Sequence, residues 1–422
     1  MRVSTSHMQN TAVQNMTGQQ SEINDTQTQL SSGRRVLRPS DDPTSAARTL
    51  DLKRATESVE RFNRNGDLAR TRLSMSESAL EQAGNELQRI RELTVQAANG
   101  SQDADTRSYI AAEIEERYKQ LVELGNSRDG NGEYLFSGSR TRTQPFNMGT
   151  DGHVTYHGDQ NSREVRIGPG RQIGVDHSGF DAFMKVPDGN GQYQAFQGEE
   201  NRGTGVVSVV DGKVRGLDAE QYRVRFAEDA DGNTRYAIQR THNPEDENAW
   251  EWVNGENGGP PAVEDAPLYE PGATIEVDDG VRVKIEGNPD PGQGGFEDGD
   301  RFTVTGSRSQ SIFATVNELI GALKEGEGPD FRNAADRALG DLDLAMENTF
   351  RVRAEIGARL STLDSEKASN EAAIIDLKQA TSDERDLDYA EATGRFNQEL
   401  TGLEAAQSTF GRVQNLSLFD YI

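Results

Sequence analysis

The sequence predicts a mainly α-helical chain with a β insertion: an elongated helical bundle or coiled coil built from both chain ends, plus a β-rich outer domain. Three observations predict it. Two long stretches, 44–144 and 330–422, contain no proline and carry apolar residues at seven-residue spacing. The segment 186–305 holds 8 of the 13 prolines and 18 of the 43 glycines, the residues that break helices and make turns. Only 33% of residues are hydrophobic and the mean hydropathy is -0.79. That is too apolar-poor for one compact globule of this length, and it suits helices with narrow apolar seams.

Residues 3–31 lack proline and contain one glycine, Gly18. Met16, Ile23 and Leu30 recur at seven, with Val13 half a turn earlier, while Gln20 and Gln27 make the rest of the expected seam polar. A helix with so thin a seam gains little by folding alone. It is expected to order only against a partner. The stretch 30–47 then reads as a helix end, a turn and a helix start. Gly33 suits a position just past a helix end, where φ is positive. Arg34, Arg35 and Arg38 put positive charge near the negative end of that helix. Pro39 stops continuation, and Asp42-Pro43 reads as an N-cap followed by proline in the first turn.

From Leu52 a heptad runs through Ala55, Val59, Phe62, Gly66, Ala69, Leu73, Ser76, Leu80, Ala83, Leu87, Ile90, Thr94 and Ala97. Eleven of these 14 positions are apolar, a coiled-coil pattern over about seven heptads. Asn99-Gly100 closes it. A shorter helix follows near 104–125, with Ile110, Ile114, Leu121 and Leu124 on one face. Tyr134-Leu135-Phe136-Ser137-Gly138 reads as the start of β structure, and alternation around 154–159 and 165–170 reads as short hairpins. Phe180 and Phe183 are expected to pack these hairpins onto the helices.

Segment 186–305 carries 10 basic and 25 acidic residues, so it holds net charge -15 of the chain's -26. Strand-like pieces are Val206–Val210, Tyr222–Phe226, Tyr236–Gln239, Thr274–Val277, Val281–Ile285 and Phe302–Val304. Helical periodicity returns with Ile312, Val316, Leu319, Ile320 and Leu323, and then with Leu339, Leu342, Met346, Thr349, Arg353, Ile356, Leu360, Leu363, Ile374 and Leu377. Thr381-Ser382-Asp383 offers a break. The last helix carries Tyr389, Ala392, Phe396, Glu399, Leu403, Ala406, Phe410 and Val413, with Leu400 widening the stripe. The expected division is therefore terminal helices at 1–40 and 384–422, a bundle core with β-hairpins at 41–185 and 306–383, and an acidic β-rich outer domain at 186–305.

Several strings make the reading more specific. Leu30-Ser31-Ser32-Gly33, Asp41-Asp42-Pro43 with Ala46-Ala47, and Tyr134-Leu135-Phe136-Ser137-Gly138 resemble signatures of the bacterial flagellin superfamily. Arg353 with Gly357-Ala358-Arg359-Leu360 resembles the C-terminal core helix of that superfamily, while Val154-Thr155-Tyr156-His157-Gly158-Asp159 and the ending Leu416–Ile422 resemble its hook-associated subgroup more than filament flagellin. Gly287-Asn288-Pro289 and Gly299-Asp300-Arg301-Phe302 also resemble that subgroup, although residues 290–298 separate the two halves here. The resemblance implies a flagellin-like fold and a structural role at the junction of hook and filament. It implies as partners hook-associated protein 1, flagellin, further copies of this chain in a ring, and an export chaperone on the C-terminal helix around Leu387–Leu416. It also implies an extracellular location, reached by type III export without a cleaved signal peptide. On this reading Met16, Ile23 and Leu30, with Phe396, Leu400, Leu403, Phe410 and Val413, form the assembly and chaperone interface, and the terminal helices are disordered in the free monomer. Two rivals stand beside it: filament flagellin itself, and a secreted adhesin or glycan-binding protein with a helical stalk.

Composition excludes several classes. The acidic balance argues against nucleic acid and anionic membrane as partners. With no cysteine, disulfides, thiolate metal sites and cysteine nucleophiles are out. No apolar run has transmembrane length, and MRVSTSHMQN lacks the apolar core of a signal peptide. No catalytic motif, cofactor site or metal site is expected. The histidines His7, His153, His157, His177 and His242 are scattered, and the spacing of His153 and His157 falls in strand-like sequence, where it does not converge two rings on one ion. Asp229–Asn233 has the look of a calcium loop, but Thr234 stands where glycine is needed, so it reads as a hairpin turn.

Overall fold

The computed structural model describes residues 5–99, 102–210, 220–246, 249–253, 255, 259–325 and 328–415. The expected breaker Gly100 and the ending Leu416–Ile422 lie outside the described residues. The helices are α1 (Thr5–Ser32), α2 (Pro43–Ala98), α3 (Ala104–Gly125), α4 (Ile312–Glu325), α5 (Gly328–Arg385) and α6 (Tyr389–Asn415). Among the described residues, fourteen short strands lie between α3 and α4. The chain forms two compact units. One comprises 1–66, 166–171 and 364–422, and the other 67–165 and 172–363.

In the first unit α1 packs on α6, and the start of α2 is tied to the end of α5 by Arg48–Glu384 at 3.1 Å. Farther along, Asn370 donates to the carbonyl of Ile167 at 2.9 Å, and Arg171 pairs with Glu366 at 3.0 Å. The heptad residues Leu52, Ala55, Phe62 and Gly66 are half-buried here, and Val59 is buried. A seam between two helices shields its residues from one side only, so half-burial is its normal state.

In the second unit the same heptad closes completely. Ala69, Leu73, Ser76, Leu80, Ala83, Leu87, Ile90, Thr94 and Ala97 are all buried. They face a core that includes Ile110, Ile114 and Leu121 of α3, Val316 and Leu319 of α4, and Leu342 and Ile356 of α5. Thr94 returns its hydroxyl to the carbonyl of Ile90 at 2.8 Å, and Thr349 to that of Ala345 at 2.9 Å, so the polar seam positions cost no unmet donor. Arg72 is a buried charge in this unit. It pairs with Asp129 at 2.6 Å and with Asp176, and donates to the carbonyl of Tyr134 at 2.7 Å. Arg163 also pairs with Asp176, at 2.7 Å.

Tyr134 makes an isolated antiparallel bridge to Arg128, but 135–138 bend and turn, so the expected β structure does not continue as a strand. Tyr134, Leu135 and Phe136 are buried there, and Gly138 takes φ +66°, which ends any extension. The expected hairpins are present: β1 (Phe146–Met148) pairs with β2 (Val154–Tyr156), and β3 (Glu164–Gly168) with β4 (Arg171–Gly174). Phe183 meets Phe136, Phe146 and the α4 residue Phe313 at ring distances of 5.4, 5.5 and 5.8 Å. That cluster is how the hairpin region joins the helices. His153 and His157 are exposed on either side of β2.

The middle region is two antiparallel sheets. A short pair, β5 (Val186–Pro187) and β14 (Ser309–Gln310), closes its base. The larger sheet has the order β10 (Glu251–Trp252), β9 (Thr234–Thr241), β8 (Gln221–Glu228), β13 (Arg301–Gly306), β6 (Tyr193–Gln197). The smaller has the order β11 (Thr274–Asp278), β12 (Val281–Glu286), β7 (Val206–Val210). Tyr193, Tyr222, Val224, Phe226 and Phe302 of the first pack on Val207, Ile275, Val281, Val283 and Ile285 of the second. Alternate residues of each strand point inward, as period two requires. All six expected strands are present, each extended by one or more residues except β7. The Asp229 carboxylate accepts from the amides of Asp231 and Asn233 and from Arg235, making the predicted hairpin turn.

Candidate assembly interface

The stretch 30–47 meets the α5–α6 connection within one joint. Gly33 follows α1 at φ +69°, and its amide donates to the carbonyl of Gln29 at 2.9 Å. Beyond it the chain runs antiparallel to the other connection. Arg35 N donates to the Arg385 carbonyl at 2.9 Å, and Leu387 N to the Gly33 carbonyl at 3.0 Å, with Arg34 and Asp386 bridged between them. Arg35 also serves a second helix end, beyond the α1 end it was expected to face. Arg35 donates to the Glu384 carbonyl at 2.7 Å, so it caps the end of α5, and it also reaches Asp42 at 3.3 Å and the Ser45 hydroxyl at 3.1 Å. The charge is used on a helix that is distant in sequence, which local reading cannot find.

Asp42 is the N-cap of α2. Its Oδ1 accepts from Thr44 N at 3.2 Å and Ser45 N at 3.1 Å. Chiefly through those bonds from Ser45, and then through Arg35, its carboxyl is held at about 2. Glu384 is held below the usual range by Ser45 and Arg48, and Asp386 by Arg385 and Ser382. The second helix start is capped likewise: Asp388 Oδ1 accepts from Ala390 N and Glu391 N. The break expected at Thr381–Asp383 falls a few residues later, since α5 continues to Arg385.

From this joint α1 and α6 leave side by side and antiparallel. Gly33 lies against Tyr389 at one end, and farther along Thr26 donates to Glu399 at 3.3 Å. Of the expected interface residues, Ile23 is buried. Met16, Leu30, Phe396, Leu403 and Phe410 are half-buried, and Leu400 is 37% exposed. The side chain of Val413 lies outside the described residues. Val13, Gln20 and Gln27 point to solvent, and the seam is completed by Gln19 and Thr26 on α1 and by Ala392 and Glu399 on α6. Gln19 and Thr26 were missed because both are polar. Their only signal was position, three residues after Met16 and Ile23.

The chemistry on offer along this surface is contact between side chains. Among the described residues no three His, Cys, Asp or Glu side chains gather to hold a metal, and no helix is long and apolar enough to cross a membrane. What it offers is half-buried apolar area. Completing the burial of one large side chain is worth up to roughly 1.5–3 kcal/mol.

Two family models match the chain at the regions just described. The bacterial flagellin N-terminal helical region matches residues 3–141, and the bacterial flagellin C-terminal helical region matches residues 339–422. Together they cover more than half of it. The chain belongs to the bacterial flagellin family. Within the family it is similar to flagellar hook-associated protein 3 of Salmonella typhimurium, 32% identical over 197 residues, which is 45% of this chain and 61% of that protein. The chain thus spans about three fifths of the length of this curated relative. Its fold is similar to the solved structure of flagellar hook-associated protein 3 from Legionella pneumophila, with TM-score 0.67 and 28% identity over 78% of this chain and 97% of the other. It is also similar to a flagellin of Serratia marcescens, 28% identical over 240 residues, 56% of this chain and 64% of that protein. The flagellin matches fall on α1 to α3 and on α5 and α6, the elements that build the joint and the paired terminal helices.

Proposed function

We propose that this chain is a structural component of the bacterial flagellum that joins the hook to the filament. The observation that carries the reading is the paired terminal helices α1 and α6, leaving a capped joint with a half-buried apolar stripe, in a flagellin-family chain similar to hook-associated protein 3. On this reading 1–40 and 384–422 form the inner wall of a tube, 41–185 and 306–383 the wall around it, and 186–305 the outer surface. The partners are hook-associated protein 1 on the hook side, flagellin on the filament side, and neighbouring copies in a ring. Met16, Ile23, Leu30, Phe396, Leu400, Leu403, Phe410 and Val413 supply the apolar contacts. Before assembly a chaperone covers the C-terminal helix, because an exposed apolar stripe aggregates. The chain leaves the cell by type III export and works outside it. Its work is interface complementarity, without catalysis.

Similarity to a flagellin favours one second reading, a filament subunit. Seeded assembly separates the two. Purified chain is offered salt alone, and separately hooks already capped with hook-associated protein 1. Short caps of limited length on hooks, and no filaments in salt, are expected. Long filaments from the chain alone would make it a flagellin, and a folded chain that does neither would defeat the junction.

A further inference from the structure

The β sandwich has an open mouth. Its two sheets end there in β6 and β7, which run close to each other, and neither has a further strand hydrogen-bonded to its free edge among the described residues. The first turns of α5 lie across this mouth. Arg337 stacks over the Phe196 ring of β6 at 5.2 Å, and Gly189 N donates to Asp341 at 2.8 Å. At the centre is Asn333, 1% exposed. Its Oδ1 accepts from Val207 N at 2.8 Å, and its Nδ2 donates to the Gly205 carbonyl at 3.0 Å, with further bonds to Gln197 and to the Pro329 carbonyl.

The pairing to 205 and 207 is the one a neighbouring strand would make, accepting from one residue and donating to the residue two before it. Antiparallel pairing alternates, so in β7 the amides of 206, 208 and 210 face β12 and that of 207 faces outward. An unpaired edge of this kind recruits other strands. We propose that Asn333 is a latch. Its side-chain amide stands in for a strand along the free edge of β7 and fixes α5 over the mouth of the sandwich, adding a strand-like tether to the Arg337, Asp341 and packing contacts that hold the acidic β region to α5. This holds whether or not the chain is a junction protein.

Hydrogen exchange of the full chain tests the latch residue by residue. In Asn333→Leu, which keeps the branching of the side chain and removes every bond it makes, Val207 N–H is expected to exchange about 100-fold faster, while Ser208, on the other edge of the same strand, and Val224 and Val283 in the sandwich stay within about 3-fold. Asn333→Asp keeps the acceptor for Val207 but opposes the Gly205 carbonyl with another acceptor. Its acceleration at Val207 is expected to be intermediate, and it serves where the leucine variant does not fold. Equal acceleration at Val207, Ser208, Val224 and Val283 would make Asn333 an ordinary stabilising residue, and no acceleration at Val207 would remove the latch; either result overturns the proposal.

Discussion

Gly33 shows how one residue can be readable in sequence for a reason that the structure then doubles. A glycine after a helical run and before a proline implies positive φ, and φ is +69°. A second constraint was invisible: a Cβ at this position would come within 2.9 Å of the Tyr389 hydroxyl, across from another helix. Gly33→Ala therefore carries two costs, the left-handed backbone and the crowding, together about 1–2 kcal/mol. In denaturant unfolding we expect Gly33→Ala to lose that much, and Gly33→Ala with Tyr389→Phe to regain only the crowding part relative to Tyr389→Phe alone. Full recovery in the double variant would show that the backbone term is absent, and no recovery that the tyrosine is indifferent. Thr26 and Glu399 make the opposite case. Glu399 stands out in the sequence as the one charged member of its stripe. Its partner does not, because a threonine in a glutamine-rich helix carries no pattern of its own.

At the scale of elements, length decided what could be read. The α2 heptad fell on its seam at every one of its positions, half-buried except for the buried Val59 in one unit and buried in the other, since many repeats average out the polar members. Tyr134–Gly138 was misjudged because five apolar and small residues cannot distinguish a strand from a buried turn. The joint was half legible: its caps are local, but Arg35 serves α5, whose end lies 350 residues away in sequence. Acid tests what this joint contributes. Asp42, Glu384 and Asp386 all have folded carboxyls below their ordinary values, Asp42 at about 2. A depressed carboxyl stabilises the fold above its unfolded pKa, near 4, and that stability is lost as the pH falls through the folded value. The melting temperature should therefore drop between about pH 4 and pH 2. The drop should be smaller in Asp42→Asn, which keeps an N-cap acceptor and has no proton to gain. Parallel curves for the two proteins would assign the acid response to other carboxylates.

At the scale of the molecule, charge is the least ordinary property. The chain carries 71 acidic and 45 basic residues, so after every possible pairing an excess of -26 remains. Many of the pairs that do form, such as Arg89–Glu113 and Arg91–Asp343, are on the surface, where solvent screening leaves each with little net contribution. Arg72 is inside, and salt reaches it little. Two effects of opposite sign thus compete when salt is added: surface pairs weaken, and self-repulsion among the excess carboxylates weakens too. The repulsion is summed over every separation that unscreened charge can reach, about 30 Å at ~0.01 M salt, and it collapses to neighbours within ~3 Å at ~1 M. A surface pair spans one contact. The excess should therefore dominate, and the melting temperature should rise by several degrees from ~0.01 M to ~1 M sodium chloride. Chloride is the right probe because sulfate would also strengthen apolar burial and confound the two causes. A melting temperature that falls with chloride would mean that the surface pairs act as a network worth more than their separate energies.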